Sequence, residues 1–268
     1  MLKYVLAVLL SLAATPAYAA VITTVEWESK PGAPWAYSGT VIDCTVTPSP
    51  SGGCALKFTY PAGTYPTSFS GGRAAYEPGN LGKDIYFGAW MRYSSPFQFH
   101  TNGQKMDMYY LAGTFTGGPG CRNIGFGYYQ NGFSATPQIC WATSTYNQRE
   151  NIGSWDEQAA LNQWHWYEQH IKIPSSGGAY DGVAEMWVDD VLKLRYTNMH
   201  FPAPGDEAGL GVLQHTAEYG GGPSVINTTQ YWWVDHTVIS TTRIGTPGGA
   251  SPPNDTTPPT PPTALTAQ

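Results

Sequence analysis

The chain has 268 residues, 12% of them charged and 14% aromatic, with 10 Trp, 18 Tyr, 31 Gly and 22 Pro. That length holds one large β domain or two small ones, and short aromatic or β-branched runs between abundant turn formers predict an all-β sandwich or barrel. A net charge of −6 and a pI near 5.4 argue against a nucleic-acid partner, which needs clustered Lys and Arg, but leave open an acidic polymer held in a locally basic groove.

Met1 to Ala20 reads as a secretory signal peptide. Lys3 is its basic start, Tyr4 to Ala14 an apolar run too short to span a bilayer, and Ala17-Tyr18-Ala19 an A-x-A cleavage site. The mature chain is expected to begin near Ala20, to be exported, to keep no membrane association after cleavage and to be a monomer. The 4 Cys fit an oxidising compartment: Cys44 and Cys54 flank a turn, Cys121 and Cys140 flank strand-like segments, and these local pairs are the chosen connectivity. No C-x-x-C suggests zinc.

A β domain is expected over residues 21–245. Val21 to Trp27 reads as an edge strand with Glu26 and Glu28 on one side. Ala55 to Tyr60 is a strand, and Phe69 to Gly79 a Gly-rich loop carrying Arg73. In Ile85 to Tyr93 the residues Tyr86, Gly88, Trp90 and Arg92 share one face, while Phe87, Ala89 and Met91 face the core. After the Asn102-Gly103 turn, Lys105 to Leu111 alternates: Met106, Met108 and Tyr110 read as core, Lys105, Asp107 and Tyr109 as a polar face. Asn123 to Tyr129 and Gln138 to Thr143 are further strands, and Ser144 to Asn162 is a polar, helix-tolerant stretch. Leu192 to Tyr196, Gly209 to His215 and Gln230 to Ser240 complete the set. In the last, Trp233, Asp235 and Thr237 share a face.

Trp164 to Asp190 stands out as two strands joined at Pro174-Ser-Ser-Gly-Gly and lying mid-sheet. Trp166, Glu168, His170 and Lys172 project from one side at about 7 Å steps. An indole, an acid, an imidazole and an amine in one row suit a groove for a polar, ring-shaped ligand. The expectation is that this row and Lys105, Asp107 and Tyr109 open into one shared trough. Beyond Gly245 the composition changes to Pro, Thr and Gly, so residues 246–268 read as a semi-rigid linker. Its end, PPTALTAQ, resembles the start of a fibronectin type III module.

The segments CALKFTYPAG, IYFGAWMRYSS, FHTNGQKMDMYYL, WHWYEQHIKIPSSGGAYDGVAEMWVDD and YWWVDHTVISTTRIG together resemble the concanavalin A-like jelly-roll superfamily, loosely over Cys54 to Gly245. More narrowly, they resemble its secreted, polysaccharide-lyase-like bacterial members. Trp164, Glu168, Asp181-Gly182, Trp187 and Asp189 carry the most specific pattern. The resemblance implies a two-sheet antiparallel β-sandwich. It also implies a structural calcium, with Asp235 of the last strand and Glu26 of the first as oxygen ligands and Glu28 behind them; no organic cofactor is expected. Lys105-Met-Asp107-Met-Tyr109 lacks the flanking acids of the laminarinase-like glycosidases. The alginate-lyase signatures R-[ST]-E, Q-[IV]-H and Y-x-K-x-G-x-Y are absent too.

The leading reading is a lyase that cleaves an acidic polysaccharide by β-elimination. Arg92 or Lys105 would neutralise the uronate carboxylate, His170 or His100 would take the C5 proton, and Tyr109 would protonate the leaving oxygen. Trp90, Asp107, Trp166, Glu168 and Lys172 would bind substrate. Alternatives are a hydrolase of a neutral glycan with Asp107 and Glu168 as paired carboxylates, a non-catalytic carbohydrate-binding module, and a plain structural domain.

Overall fold

The structure, a computed structural model, describes residues 20–63, 72–100, 104–111, 122–129, 132–139, 160–176, 179–199, 209–219 and 225–248. Within these lie the strands β1 (Val21–Val25), β2 (Trp35–Ser38), β3 (Thr40–Asp43), β4 (Ala55–Tyr60), β5 (Arg73–Tyr76), β6 (Asp84–Tyr93) and β7 (Gln104–Leu111). The second half supplies β8 (Arg122–Tyr129), β9 (Gly132–Ile139), β10 (His165–Lys172), β11 (Gly182–Val188), β12 (Val191–Met199), β13 (Leu210–Thr216) and β14 (Gln230–Ser240). They form two antiparallel sheets. One is 8-stranded, in the order β12-β11-β10-β6-β14-β4-β3 with β1 also paired to β14, and the other is 6-stranded, in the order β2-β5-β13-β7-β8-β9. The sandwich is therefore as expected, and the β10–β11 hairpin lies inside the larger sheet.

Alternation explains the layering. Ile85, Phe87, Ala89 and Met91 of β6, Tyr167 and Ile171 of β10, and Trp232, Val234 and Ile239 of β14 meet Met106, Leu111, Ile124, Phe126 and Leu213 of the smaller sheet in one apolar core. Each large side chain buried there contributes roughly 1.5–3 kcal/mol.

Two β-bulges change which side chains face that core. In β7, Lys105 lies opposite Gly127 and Asp107 opposite Phe126, so Met106 is the extra residue. Alternation switches there. Asp107 and Tyr109 turn inward, while Lys105, Met108 and Tyr110 face out; Met108 and Tyr110 join Ala75 and Val212 in a cluster separate from the core. Met106 is core and Lys105 faces out, as expected, but the assignment is reversed for Asp107, Met108, Tyr109 and Tyr110. In β14, Asp235 lies opposite Trp90 and Val238 opposite Gly88, with His236 at φ 46°. Thr237 thus points inward, opposite to Asp235, and the face predicted for the two together is not formed.

The bulges place a polar chain inside the sandwich. The Trp27 indole donates to Thr237 Oγ1 (3.0 Å), Thr237 meets His215 Nε2 (3.1 Å), and His215 Nδ1 meets Asp107 (2.6 Å). Gln169 Nε2 donates to Asp107 and its Oε1 accepts the Tyr109 hydroxyl. With the His215 proton on Nδ1, every donor in the chain has an acceptor, as buried polar groups require. The chain joins β7 and β13 of one sheet to β10 and β14 of the other.

The hairpin pattern also has a structural role. Asp189 accepts the Trp166 N–H (2.9 Å), and Asp181 accepts the Ser175 N–H (2.9 Å). A Cβ on Gly182 would approach the Met199 carbonyl oxygen to 2.9 Å. Cys44 and Cys54 form a disulfide. Cys121, Cys140 and residues 144–159 of the expected helix-tolerant stretch lie outside the described residues.

Candidate functional site

The expected trough does not exist. Trp90, Arg92, Trp166, Glu168, His170 and Lys172 do share one face, the outer face of the 8-stranded sheet. Lys105 projects from the opposite side of the sandwich, and Asp107 and Tyr109 lie between the sheets, 0% and 1% exposed. Burial, and secondarily Asp107, keep the Tyr109 phenol far above its ordinary pKa. Its hydroxyl is committed to Gln169. Asp107 and Glu168 face opposite sides of the larger sheet, which removes them as a paired-carboxylate site. His100 is buried edge-on against Tyr219, 2% exposed.

The outer face of the larger sheet is filled along β6 and β10. Trp166 and Trp90 pack edge to face at 5.6 Å, joined by Val238, Trp164 and Ile244. A Cβ on Gly88 would come within 2.3 Å of the Trp166 ring. Glu168, 0% exposed, accepts the N–H groups of Ile244 (2.6 Å) and Gly245 (2.9 Å), so it ties down the segment after β14 rather than a ligand. His170 lies at 2.8 Å from both Asp84 and Glu185 and stacks on Tyr86 at 4.1 Å. Burial opposes its charge most strongly, but hydrogen bonds from the imidazole to the two carboxylates outweigh it and raise the His170 pKa. A base must be unprotonated; the two carboxylates favour the protonated imidazole of His170 and occupy both of its ring nitrogens. Lys172 is exposed at the strand end.

The implied calcium site does not fit either. Calcium takes six to eight oxygens. Asp235 accepts bonds from the Trp27 N–H (3.4 Å) and the hydroxyls of Ser49 (2.5 Å) and Ser51 (2.8 Å), whereas Glu26 pairs with His236 and Glu28 accepts the Cys54 N–H (3.2 Å). The acids turn to separate partners, and among the described residues no group of three or more Asp, Glu, His or Cys is placed to hold a metal.

The outer face of the smaller sheet is different. Gln214 on β13 pairs across with Ala75 on β5 and Met108 on β7, and Met108 pairs with Gly125 on β8. In the next row Val212, Tyr110 and Asn123 lie side by side. A Cβ on Gly125 would meet nothing within 4 Å, although Met108, Tyr110, Val212 and Gln214 are each no more than 6% exposed. Gln214 is 1% exposed, yet neither its amide nitrogen nor its oxygen has a hydrogen-bond partner. Leaving such a group unpaired costs about 1–3 kcal/mol, which a ligand would recover.

Charged groups rim this row. Arg73 lies 3.8 Å from Glu77, and Lys105 is paired with Glu218. Burial first, then the Glu218 charge, push the Tyr110 phenol up to about 12, and Arg73 acts the other way. The face therefore offers a protonated phenol, a buried free amide and cations. Lys105 alone of the predicted site residues lies here. Arg73 was expected in a loop, because RAAYE is too short to announce a strand. Tyr110 was assigned to the core because nothing within β7 marks the bulge. A single amide in the apolar run GLGVLQH was the signal available for Gln214.

The fold is a two-sheet antiparallel β-sandwich that several solved polysaccharide lyases share. The chain is similar to the alginate lyase vAL-1 from Chlorella virus (TM-score 0.55, 13% identity, 76% of this chain and 90% of that one). It is likewise similar to an endo-β-1,4-glucuronan lyase from the fungus Trichoderma reesei (TM-score 0.53, 16% identity, 77% and 90%) and to the cellulose-induced protein Cip1 (TM-score 0.51, 15% identity, 79% and 93%). At these identities the likeness establishes the scaffold. No protein-family profile and no curated protein sequence matches the chain.

Proposed function

We propose that the protein is a secreted polysaccharide lyase that cleaves an acidic, uronate-containing glycan by β-elimination on the outer face of the 6-stranded sheet. The observation that carries this reading is the buried, unpartnered amide of Gln214 two strand positions from the row of Tyr110. In the reaction, the uronate carboxylate accepts hydrogen bonds from the Gln214 amide and is balanced by Arg73 and Lys105, which acidifies C5–H. Glu218 takes that proton, the electrons form the C4–C5 double bond, and the C4–O bond breaks. The departing oxygen takes the Tyr110 proton, available because the phenol stays protonated at neutral pH. The N-terminal export signal and the Cys44–Cys54 disulfide support secretion.

Alginate, glucuronan, pectate and glycosaminoglycans should be assayed for the ultraviolet absorbance of an unsaturated product, with reducing ends counted in parallel. Turnover on at least one polyuronate is expected. Gln214→Met should lower it about 100-fold or more while leaving the melting temperature unchanged or higher, since an unsatisfied amide is removed. Reducing ends without absorbance, or full activity in Gln214→Met, would refute the proposal.

A further inference from the structure

The larger sheet carries, beside its filled patch, a row that remains open. Val41 of β3 lies opposite Lys57 of β4, Lys57 opposite Trp233 of β14, and Trp233 opposite Arg92 of β6. Tyr231 is tilted beside Trp233 with ring centres 5.6 Å apart, and both rings are half-buried. Lys57 sits over the Tyr231 ring at 5.5 Å and Arg92 over the Trp233 ring at 5.7 Å. Val41 is 51% exposed.

The charges on this ledge are unequal. Lys57 is neutralised by Asp43 at 2.9 Å, which also accepts the Trp233 indole N–H at 3.1 Å. Among the described residues Arg92 bonds only neutral groups, the Thr47 carbonyl (3.4 Å) and the Asn162 side-chain oxygen (2.6 Å), and its buried Nε has no partner there. Trp164 donates to the same Thr47 carbonyl at 2.8 Å, fixing an indole on the far side of Arg92. An unpaired guanidinium between indoles selects a ligand with flat apolar faces and carboxylates.

We infer that Tyr231, Trp233 and Arg92 form a second, non-catalytic binding ledge for an acidic polysaccharide, on the side of the sandwich opposite the proposed cleavage face. Sugar C–H faces lie on the two rings, and a uronate carboxylate pairs with Arg92. The ligand class rests on the acidic-glycan reading above, but the ledge shares no residue with that site. Holding a long chain there raises its local concentration for the other face.

Affinity electrophoresis of the mature protein in gels containing alginate, glucuronan or a neutral β-glucan tests this, with absorbance assays on short oligouronates run alongside. Wild type and Gln214→Met should both be retarded by a polyuronate. Tyr231→Ala/Trp233→Ala and, separately, the side-chain-conserving Arg92→Met should weaken retardation about tenfold or more, with turnover on short oligouronates within about twofold of wild type. Trp233→Phe, which keeps a ring, should retain most of the binding and guards against a folding defect. Unchanged retardation in the ring and Arg92 variants overturns the ledge, as does retardation by the neutral glucan alone or none at all. Retardation lost with Trp233 but no absorbance from any substrate would sustain the ledge and refute the lyase.

Discussion

His170 shows how far a residue's type can be read and its role not. The alternation of β10 set it on an outer face beside Glu168, but only the neighbouring strands bring Asp84 and Glu185 to its two ring nitrogens. Its raised pKa means that the folded state holds the proton more tightly than the unfolded chain. That share of stability is whole below the ordinary value of 6.5 and is lost as pH climbs through the raised one. Glu185 behaves oppositely. Burial works against its charge, but His170 and Arg195 lower its pKa, so its share is whole above 4.5 and is lost as pH falls. His170→Gln should therefore cost about 1–2 kcal/mol near pH 5.5, with the gap to wild type narrowing above pH 6.5. Melting temperatures across pH measure this; a gap independent of pH would show that the carboxylates do not hold the imidazole's charge.

Strands are legible where alternation or β-branched and aromatic runs are long. β4 and β14 have the predicted bounds, β6, β7 and β8 lie within a residue of theirs, and β10 and β11 fall within the predicted Trp164 to Asp190 hairpin. β2, β3 and β5 have four residues each and lie among turn formers, so local pattern could not distinguish them. A bulge is illegible for another reason: the extra residue exists only relative to a partner strand, and one slip exchanges Tyr109 for Tyr110 on the functional face. Two glycines separate the filled face from the open one. Gly88→Ala drives a methyl into the Trp166 ring and should cost about 1–3 kcal/mol. Gly125→Ala enters free space and should change stability by less than about 0.5 kcal/mol while reducing polyuronate turnover. Denaturant unfolding of both variants checks the contrast; equal costs would show that the β8 face is closed.

Across the whole molecule, the polar chain from Trp27 to Tyr109 ties the two sheets together with directed hydrogen bonds, beside the apolar core and the Gln104–Tyr60 bond. It lies behind the proposed cleavage face, because His215 and Asp107 point inward next to the outward Gln214 and Met108 on the same strands. Asp107→Leu strips His215 and Gln169 of their acceptor and should cost about 3–5 kcal/mol. Chemical denaturation measures it, and a loss below about 1 kcal/mol would mean that the sheets are held by the apolar core instead. The same architecture separates the sequence's candidate residues. Arg92 and Lys105, equivalent as cations in the chain, end on opposite outer faces, one beside the aromatic ledge and the other beside Tyr110.

By itself the sequence determined the all-β class, most strand positions, the Cys44–Cys54 pair and the presence of polar and aromatic rows, because these follow from periodicity and local chemistry. The tertiary structure alone decided which row is closed by the segment after β14, which is tied into the interior and which keeps an unpartnered amide. Those outcomes depend on bulges, strand neighbours and chain segments tens of residues apart, none of which leaves a trace in local spacing.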